Sequence, residues 1–134
     1  MAPVFIDSNI PMYLVGAQHP NKVQSRAVLH QLLVEGRSLV TDAEVFQEIL
    51  HRFHAIRRLD AIEPAFRALR EIVDDVYPVT LPGVERGRSI LESHAGVSAR
   101  DAIHVAVMEA NEVGEIFSFD TGFDSIPFVR RVGR

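Results

Sequence analysis

Apolar residues along this chain alternate between two patterns: short unbroken runs, and longer stretches in which they recur every three to four positions. Val4-Phe5-Ile6 is the first run and reads as a short strand buried on both faces. It closes at Asp7, and Asn9 to Val15 follows as a predicted helix with Pro11 in its first turn. His19-Pro20-Asn21 breaks the pattern. Val23, Ala27, Val28, Leu32 and Leu33 then recur at helical spacing until Gly36, a natural C-terminal cap. Leu39-Val40-Thr41 is a second strand, and Asp42 is placed to cap a helix carrying Val45, Phe46, Ile49, Leu50 and Phe53 on one face. Leu59 to Val73 gives another amphipathic helix, Val76 to Leu81 a strand, and Val84 to Leu91 a helix ending near His94-Ala95-Gly96. Ser98 to Asn111 is a helix apolar nearly all round, which predicts burial. Glu115 to Phe119 is the last clear strand, with Val129 to Val132 as a short edge strand.

Strands that alternate with helices over short links predict an α/β fold, a central mainly parallel twisted sheet flanked by helices. No repeat, linker or low-complexity tract interrupts the pattern, so residues 1–134 are expected to form a single domain. At 134 residues, 47% of them hydrophobic and 24% charged, the chain has the makings of a packed core. The absence of cysteine excludes disulfides, Cys-ligated zinc and a thiol nucleophile. No apolar stretch approaches the roughly 20 residues of a membrane span, and the N-terminus lacks a signal-peptide pattern. A cytoplasmic protein is the expectation. The net charge of −4 argues against a polyanionic partner, unless acids gathered around cations invert the local field.

Such a gathering is what the fold predicts. Ligands in open α/β sheets bind beyond the carboxyl ends of the strands, where Asp7 sits. A helix of about 14 residues from Ser98 runs back roughly 21 Å, and a five-residue strand from Glu115 returns roughly 17 Å. Asp120 should therefore come back to the level of Asp101. Each acid also has a local reading: Asp7 as a helix cap, Asp101 within a capping box opened by Ser98, Asp120 as an Asx-type turn before Gly122. Three such acids at one edge would repel unless a hard divalent cation neutralised them. A fourth carboxylate comes from the helix after Asp42. Glu44 lies in its first turn, where the helix dipole explains it, and Glu48 one turn deeper at the border of the apolar stripe. Asp42 itself is assigned to capping, and Asp124 is the weakest candidate metal ligand, reading more readily as a loop acid.

Four motifs in this order resemble the PIN-domain ribonucleases, and more closely the VapC-type toxins of bacterial toxin–antitoxin pairs. They are Val4-Phe5-Ile6-Asp7-Ser8-Asn9, Val45-Phe46-Gln47-Glu48-Ile49-Leu50, Ala99-Arg100-Asp101-Ala102-Ile103-His104-Val105-Ala106 and Phe117-Ser118-Phe119-Asp120-Thr121-Gly122-Phe123-Asp124. The resemblance implies a PIN-like fold and an acidic site of Asp7, Glu48, Asp101 and Asp120, with Asp124 at a less constant family position. It implies Mg²⁺ or Mn²⁺, hydrolysis of RNA phosphodiesters by an endoribonuclease, a small cognate antitoxin, and a homodimer. For the dimer, the exposed apolar faces of the Asn9 to Val15 helix and of the helix after Asp42 are the candidate contacts. Such ions take carboxylate and water oxygens. Asp7 and Asp101 are the expected direct ligands, with Glu48 and Asp120 binding a second ion or positioning water.

Ser8 and Asn9 are candidates for contact with a ligand carboxylate or the RNA phosphate, helix capping being the alternative. The basic stretch His51, Arg52, His54, Arg57 and Arg58 complements a helix C-terminus, and Arg52 and Arg57 are candidate phosphate contacts. His104, one turn after Asp101, reads as a satisfied core histidine. Arg130, Arg131 and Arg134 make a basic tail. A phosphatase of the haloacid-dehalogenase type also opens with a strand ending in Asp, but needs a second Asp where Asn9 stands. No P-loop motif is present. The alternatives kept open are a housekeeping RNA-processing PIN nuclease and a catalytically silent PIN-like module that only binds partners.

Overall fold

A computed structural model describes residues 2–133. In chain order it contains β1 (Val4–Ile6), α1 (Asn9–Val15), α2 (Pro20–Val34), β2 (Leu39–Asp42), α3 (Ala43–Ala55), α4 (Ile62–Ile72), β3 (Asp75–Tyr77), α5 (Leu81–Ser93), α6 (Ala99–Ala110), β4 (Glu115–Phe117) and β5 (Arg130–Arg131). Single 3₁₀ turns precede α4 at Leu59–Ala61 and follow β4 at Thr121–Ser125. The five strands form one sheet in the order β3-β2-β1-β4-β5, and every pairing is parallel. This is the expected α/β architecture.

The strand order fixes where a site can form. The chain steps from β1 to β2 to β3 in one direction, then crosses back over β1 to place β4 on its other side. The reversal makes the gap between the carboxyl ends of β1 and β4 a topological switch point, where such sheets open a crevice. Register then sets which residues meet there. Ile6 lies beside Phe117 and Phe5 beside Val40, so the next residues, Asp7 and Ser118, come side by side, with Asp42 on the other flank of Asp7. The Asp7 N–H donates to Phe117 O at 3.2 Å, and Thr41 Oγ1 donates to Ile6 O at 2.8 Å, tying the strand ends together.

The core explains why these ends are rigid. All three residues of β1 are wholly buried, as a central parallel strand covered on both faces must be. Phe5, Ile6, Ile10, Leu39, Ile49, Met108, Ile116 and Phe117 are among its largest enclosed side chains. The expected burial of the helix after Ser98 holds: from Asp101 to Met108 only Ile103 is not fully buried in α6.

Several boundaries differ from the predicted ones, each for a local reason. α2 begins at Pro20 because the proline occupies the first helical position and His19 Nδ1 accepts the Asn21 N–H at 2.9 Å. The residues that read as a break are the cap. α5 begins at Leu81, not Val84, since Thr80 Oγ1 accepts the Gly83 N–H, and the strand before it stops at Tyr77. β4 stops at Phe117 because Ser118 Oγ accepts the Asp120 N–H at 3.0 Å and turns the chain out of the sheet. The edge strand at the C-terminus is Arg130–Arg131. Its guanidinium groups pair with Glu115 and Asp124, which accounts for two members of the basic tail. Arg134 lies outside the described residues.

Candidate metal centre

Asp7 follows β1 directly, and its carboxylate is almost completely buried. Oδ1 accepts the Ser8 N–H at 2.8 Å and Oδ2 accepts the Ser118 hydroxyl at 2.6 Å. Burial still pushes its pKa above the usual carboxylate range, with the His104 imidazole opposing and the Glu48 carboxylate adding to the rise. Asp101 sits in the first turn of α6, where Ser98 Oγ accepts its N–H at 3.2 Å. Ser98 is therefore the N-cap of α6, one half of the expected capping box, while the Asp101 carboxylate lies with the acids at the strand ends. Burial, a hydrogen bond with Asp120 and the charge of Asp7 raise the Asp101 carboxyl to about 8.

Glu48 reaches the same place from α3. Its Oε2 accepts the Ser8 hydroxyl at 3.1 Å, and Oε1 makes a very short contact with His104 Nε2. One ligand-type atom from each of Asp7, Glu48, Asp101 and His104 lies within 4.8 Å of the others. Asp120 joins through its hydrogen bond with Asp101 while its own Oδ1 accepts the Gly122 N–H at 2.8 Å. The Asx turn and the approach to the acids are thus one arrangement. The strand-and-helix length balance is not what brings it there. α6 covers about 18 Å and the three residues of β4 only about 10 Å, so the loops on either side of β4 supply the rest.

The remaining candidates separate clearly. Glu44 lies 3.6 Å from the Arg100 guanidinium, which leaves Glu48 as the helix's contribution to the cluster. Asp124 accepts two hydrogen bonds of 2.9 Å from Arg131, a bidentate pair, and is not among the four residues whose ligand-type atoms gather. Ser8 contacts Glu48 rather than capping α1 with its side chain. Asn9 Nδ2 donates to Ser118 Oγ at 3.3 Å, and its Oδ1 is buried with no partner among the described residues.

Three functional contacts escaped the sequence. Ser118, an inconspicuous polar residue between two phenylalanines, gathers Asp7, Asn9 and the Asp120 backbone on one hydroxyl. Asp42 does cap α3, with Oδ1 accepting the Val45 N–H at 2.9 Å, but its Oδ2 also meets His104 Nδ1 at 2.8 Å. His104 is a buried histidine as expected, yet both its partners belong to the acid cluster or its support. Burial alone would lower its pKa; the carboxylates of Asp42, Glu48 and Asp7 overcome that and hold it well above the ordinary histidine value.

A groove of about 470 Å³ opens over the cluster. Asp7, Glu48, Asp101 and Asp120 form its acidic end, and Met12, Tyr13, His19, Phe53 and Ile56 line the remainder with Arg52. Tyr13 packs on His19 with ring centroids 4.9 Å apart. Arg57 lies elsewhere, beside His54, Leu59 and Asp60. The donor set is rich in carboxylate oxygen and open to solvent on one side, which suits a hard divalent cation that keeps several waters.

Comparison with known proteins agrees with this geometry. The family model for the PIN domain matches residues 4–129. Ribonuclease VapC13 of Mycobacterium tuberculosis is 50% identical over 129 residues, covering 96% of this chain and 98% of the relative. Ribonuclease VapC23 of the same species is 32% identical over 87% of this chain and 92% of its own length. Among solved structures, M. tuberculosis VapC20, described as a sarcin-ricin loop cleaving toxin, superposes with a TM-score of 0.76 at 23% identity, covering 94% of this chain and 96% of that one. VapBC2 from Rickettsia felis, solved with a DNA fragment from its promoter, gives 0.71 at 14% identity, over 96% of each chain. The chain belongs to the PIN-domain family, among the VapC ribonucleases.

Proposed function

We propose that this protein is a metal-dependent endoribonuclease and the toxin of a VapBC-type pair. The observation that carries the reading is the meeting of Asp7, Glu48 and Asp101, with Asp120 hydrogen-bonded to Asp101, at the switch point of the sheet inside an open groove. The ribonuclease names of relatives that align along nearly the whole chain support the substrate class.

Asp7 and Asp101 are the residues best placed to hold a Mg²⁺ or Mn²⁺ ion, with Glu48 and Asp120 alongside. When bound, such an ion activates water, polarises the phosphate and stabilises the departing oxygen. The chain's own groups do the remaining work. Ser118 and the Ser8 N–H fix the two oxygens of Asp7, and the Ser8 hydroxyl holds Glu48. Arg52, exposed on the groove wall, offers a cation to the phosphates of an RNA strand. Asn9 presents an amide at the acidic end.

An RNA substrate puts the site of action in the cytoplasm, and among the described residues no helix is long and apolar enough to cross a membrane. Solved relatives include a toxin–antitoxin complex from Klebsiella pneumoniae, which supports a small antitoxin as the partner. We also expect a homodimer. Its contacts fall to Leu50 on α3 with Ile56 and Leu59 beyond it, all substantially exposed. The expected contribution of α1 is reduced, because its apolar side chains are buried or half-buried and it packs against α4 and α2.

A ribonuclease assay with added Mn²⁺ tests the reading. The wild-type chain should cleave RNA, and Asp7→Asn and Asp101→Asn should each lose nearly all of that cleavage. Undiminished metal-dependent activity in either variant sinks the assignment.

A further inference from the structure

The His104 imidazole lies wholly enclosed behind the acid cluster, and a carboxylate engages each of its ring nitrogens. Asp42 Oδ2 meets Nδ1 at 2.8 Å and Glu48 Oε1 meets Nε2 in the very short contact noted above. Phe5 tilts against the ring with centroids 5.4 Å apart. Asp42 is itself pinned, since it ends β2 and its second oxygen accepts the Val45 N–H. A continuous support therefore runs from a strand end, through a buried ring, to one oxygen of Glu48.

Glu48 needs such a support more than the other acids do. Asp7 follows a rigid strand on a short side chain, and Asp101 is set by a helix N-terminus. Glu48 hangs from the middle of α3 by a longer side chain, and its other hydrogen bond among the described residues comes from the single hydroxyl of Ser8. Without the ring, its carboxylate would be free to swing into the groove or towards Arg52. In this structure both ring nitrogens are engaged by carboxylates, Nδ1 by Asp42 and Nε2 by Glu48, with Nε2 3.9 Å from Asp7 Oδ1.

We propose that Asp42 and His104 form a positioning pair that holds the Glu48 carboxylate in its working orientation, in addition to filling the core. Such carboxylate–imidazole supports behind a metal-site acid are commonly worth 10- to 100-fold in affinity or activity. The proposal rests on the nuclease reading above. It differs from a purely structural role in one measurable way: a residue that acts only through Glu48 has nothing left to do once Glu48 is disabled.

The test is a double-mutant cycle on the full chain with His104→Gln, Glu48→Gln and the double variant. Mn²⁺ affinity is measured by titration calorimetry, and the cleavage rate on a mixed-sequence RNA. His104→Gln in the otherwise wild-type chain should lower the cleavage rate about 10- to 100-fold, and shift Mn²⁺ affinity by the same factor as Glu48→Gln. In the Glu48→Gln background it should cost less than about twofold in either measurement. Equal losses in both backgrounds overturn the proposal and return His104 to the core. If His104→Gln does not fold, Asp42→Ser takes its place in the cycle, because serine keeps the helix cap but is too short to reach the ring. A wild-type chain that neither binds Mn²⁺ nor cuts RNA overturns the nuclease reading and this proposal with it. An active wild type with uncoupled losses overturns this proposal alone.

Discussion

Ser118 and Asp7 meet across the gap between β4 and β1, the serine hydroxyl donating to Asp7 Oδ2 at 2.6 Å. Neither strand could make this contact alone; it exists because parallel register sets the two strand ends at the same level. The hydroxyl favours the charged carboxylate against the burial that disfavours it. Ser118→Ala removes that donor and leaves Asp7 harder to ionise. Mn²⁺ affinity should fall on the order of tenfold, with a stability cost of about 1 kcal/mol. Titration calorimetry and a thermal melt measure the two effects separately, and unchanged affinity would mean that Asp7 needs no such partner.

Asp101 should make the metal-free protein sensitive to pH. Its carboxyl is raised to about 8 from the ordinary aspartate value of 3.8. Between those values the folded state holds a proton that the unfolded chain has released, so stability must fall as pH rises through that window. Asp101→Asn cannot ionise. It should flatten this part of the stability profile and raise the metal-free melting temperature at pH 8 by on the order of 5 °C. The same proton competes with a cation, so Mn²⁺ affinity in the wild type should weaken below about pH 8. Melting curves across pH with and without chelator read both effects. A profile in Asp101→Asn identical to that of the wild type would contradict them.

The acids differ in how plainly the sequence announces them, and the reason is locality. Asp7 and Asp101 were legible because each ends or opens an element whose hydrophobic pattern is strong. Glu48 was distinguishable from Glu44 by its place on the border of an apolar stripe, and the Glu44–Arg100 contact agrees. What was hidden depends on partners far away in the chain. Nothing near Asp42 signals His104, 62 residues on, and a helix cap already explained Asp42 fully. Ser118 reads as the polar member of a strand alternation, although it lies just beyond the strand's last residue. The fold class survived strands misjudged by two to three residues, because the alternation of element types, not their exact length, determines it.

Asp124 should be dispensable for the chemistry. It matches a family motif, but Arg131 grips both of its oxygens. Asp124→Asn should leave Mn²⁺ affinity and RNA cleavage within about twofold of wild type, and lower stability by no more than roughly 1 kcal/mol, the usual range for a partly exposed ion pair. Run beside Asp101→Asn, the comparison distinguishes an acid of the centre from one of its rim. A loss from Asp124→Asn as large as that from Asp101→Asn would place it in the centre after all.

Gly122 is needed where it stands because the backbone there has no room for a side chain. A Cβ would lie 2.6 Å from the carbonyl oxygen of Gly96 and 3.1 Å from Asp120 Oδ1. Gly122→Ala must therefore push apart the turn that carries Asp120 and the loop before α6. A loss of about 1–3 kcal/mol is expected from such overpacking. The Asp120–Asp101 contact should loosen with it, so cleavage should fall even at temperatures where the variant remains folded. Activity measured well below the melting midpoint tests this, and a fully active Gly122→Ala would show that the turn can yield without moving Asp120.

Arg52 and Arg57 lie five residues apart in the densest basic stretch of the chain, yet only Arg52 reaches the groove that holds the acids. If Arg52 meets a phosphate, neutralising it should weaken RNA binding and remove part of its salt dependence. For single-stranded RNA, one lost contact reduces the slope of log affinity against log salt by about 0.7. Arg52→Ala should show that change in a Ca²⁺-containing binding assay with the Asp7→Asn background used to prevent cleavage. Arg57→Ala should not, because Arg57 lines a separate hollow with His54, Leu59 and Asp60. Mn²⁺ affinity in the otherwise wild-type chain should stay within about twofold for both, since one removed surface charge changes a neighbouring site only weakly through screening water. Equal salt slopes for the two variants would mean that the groove does not guide the RNA past Arg52.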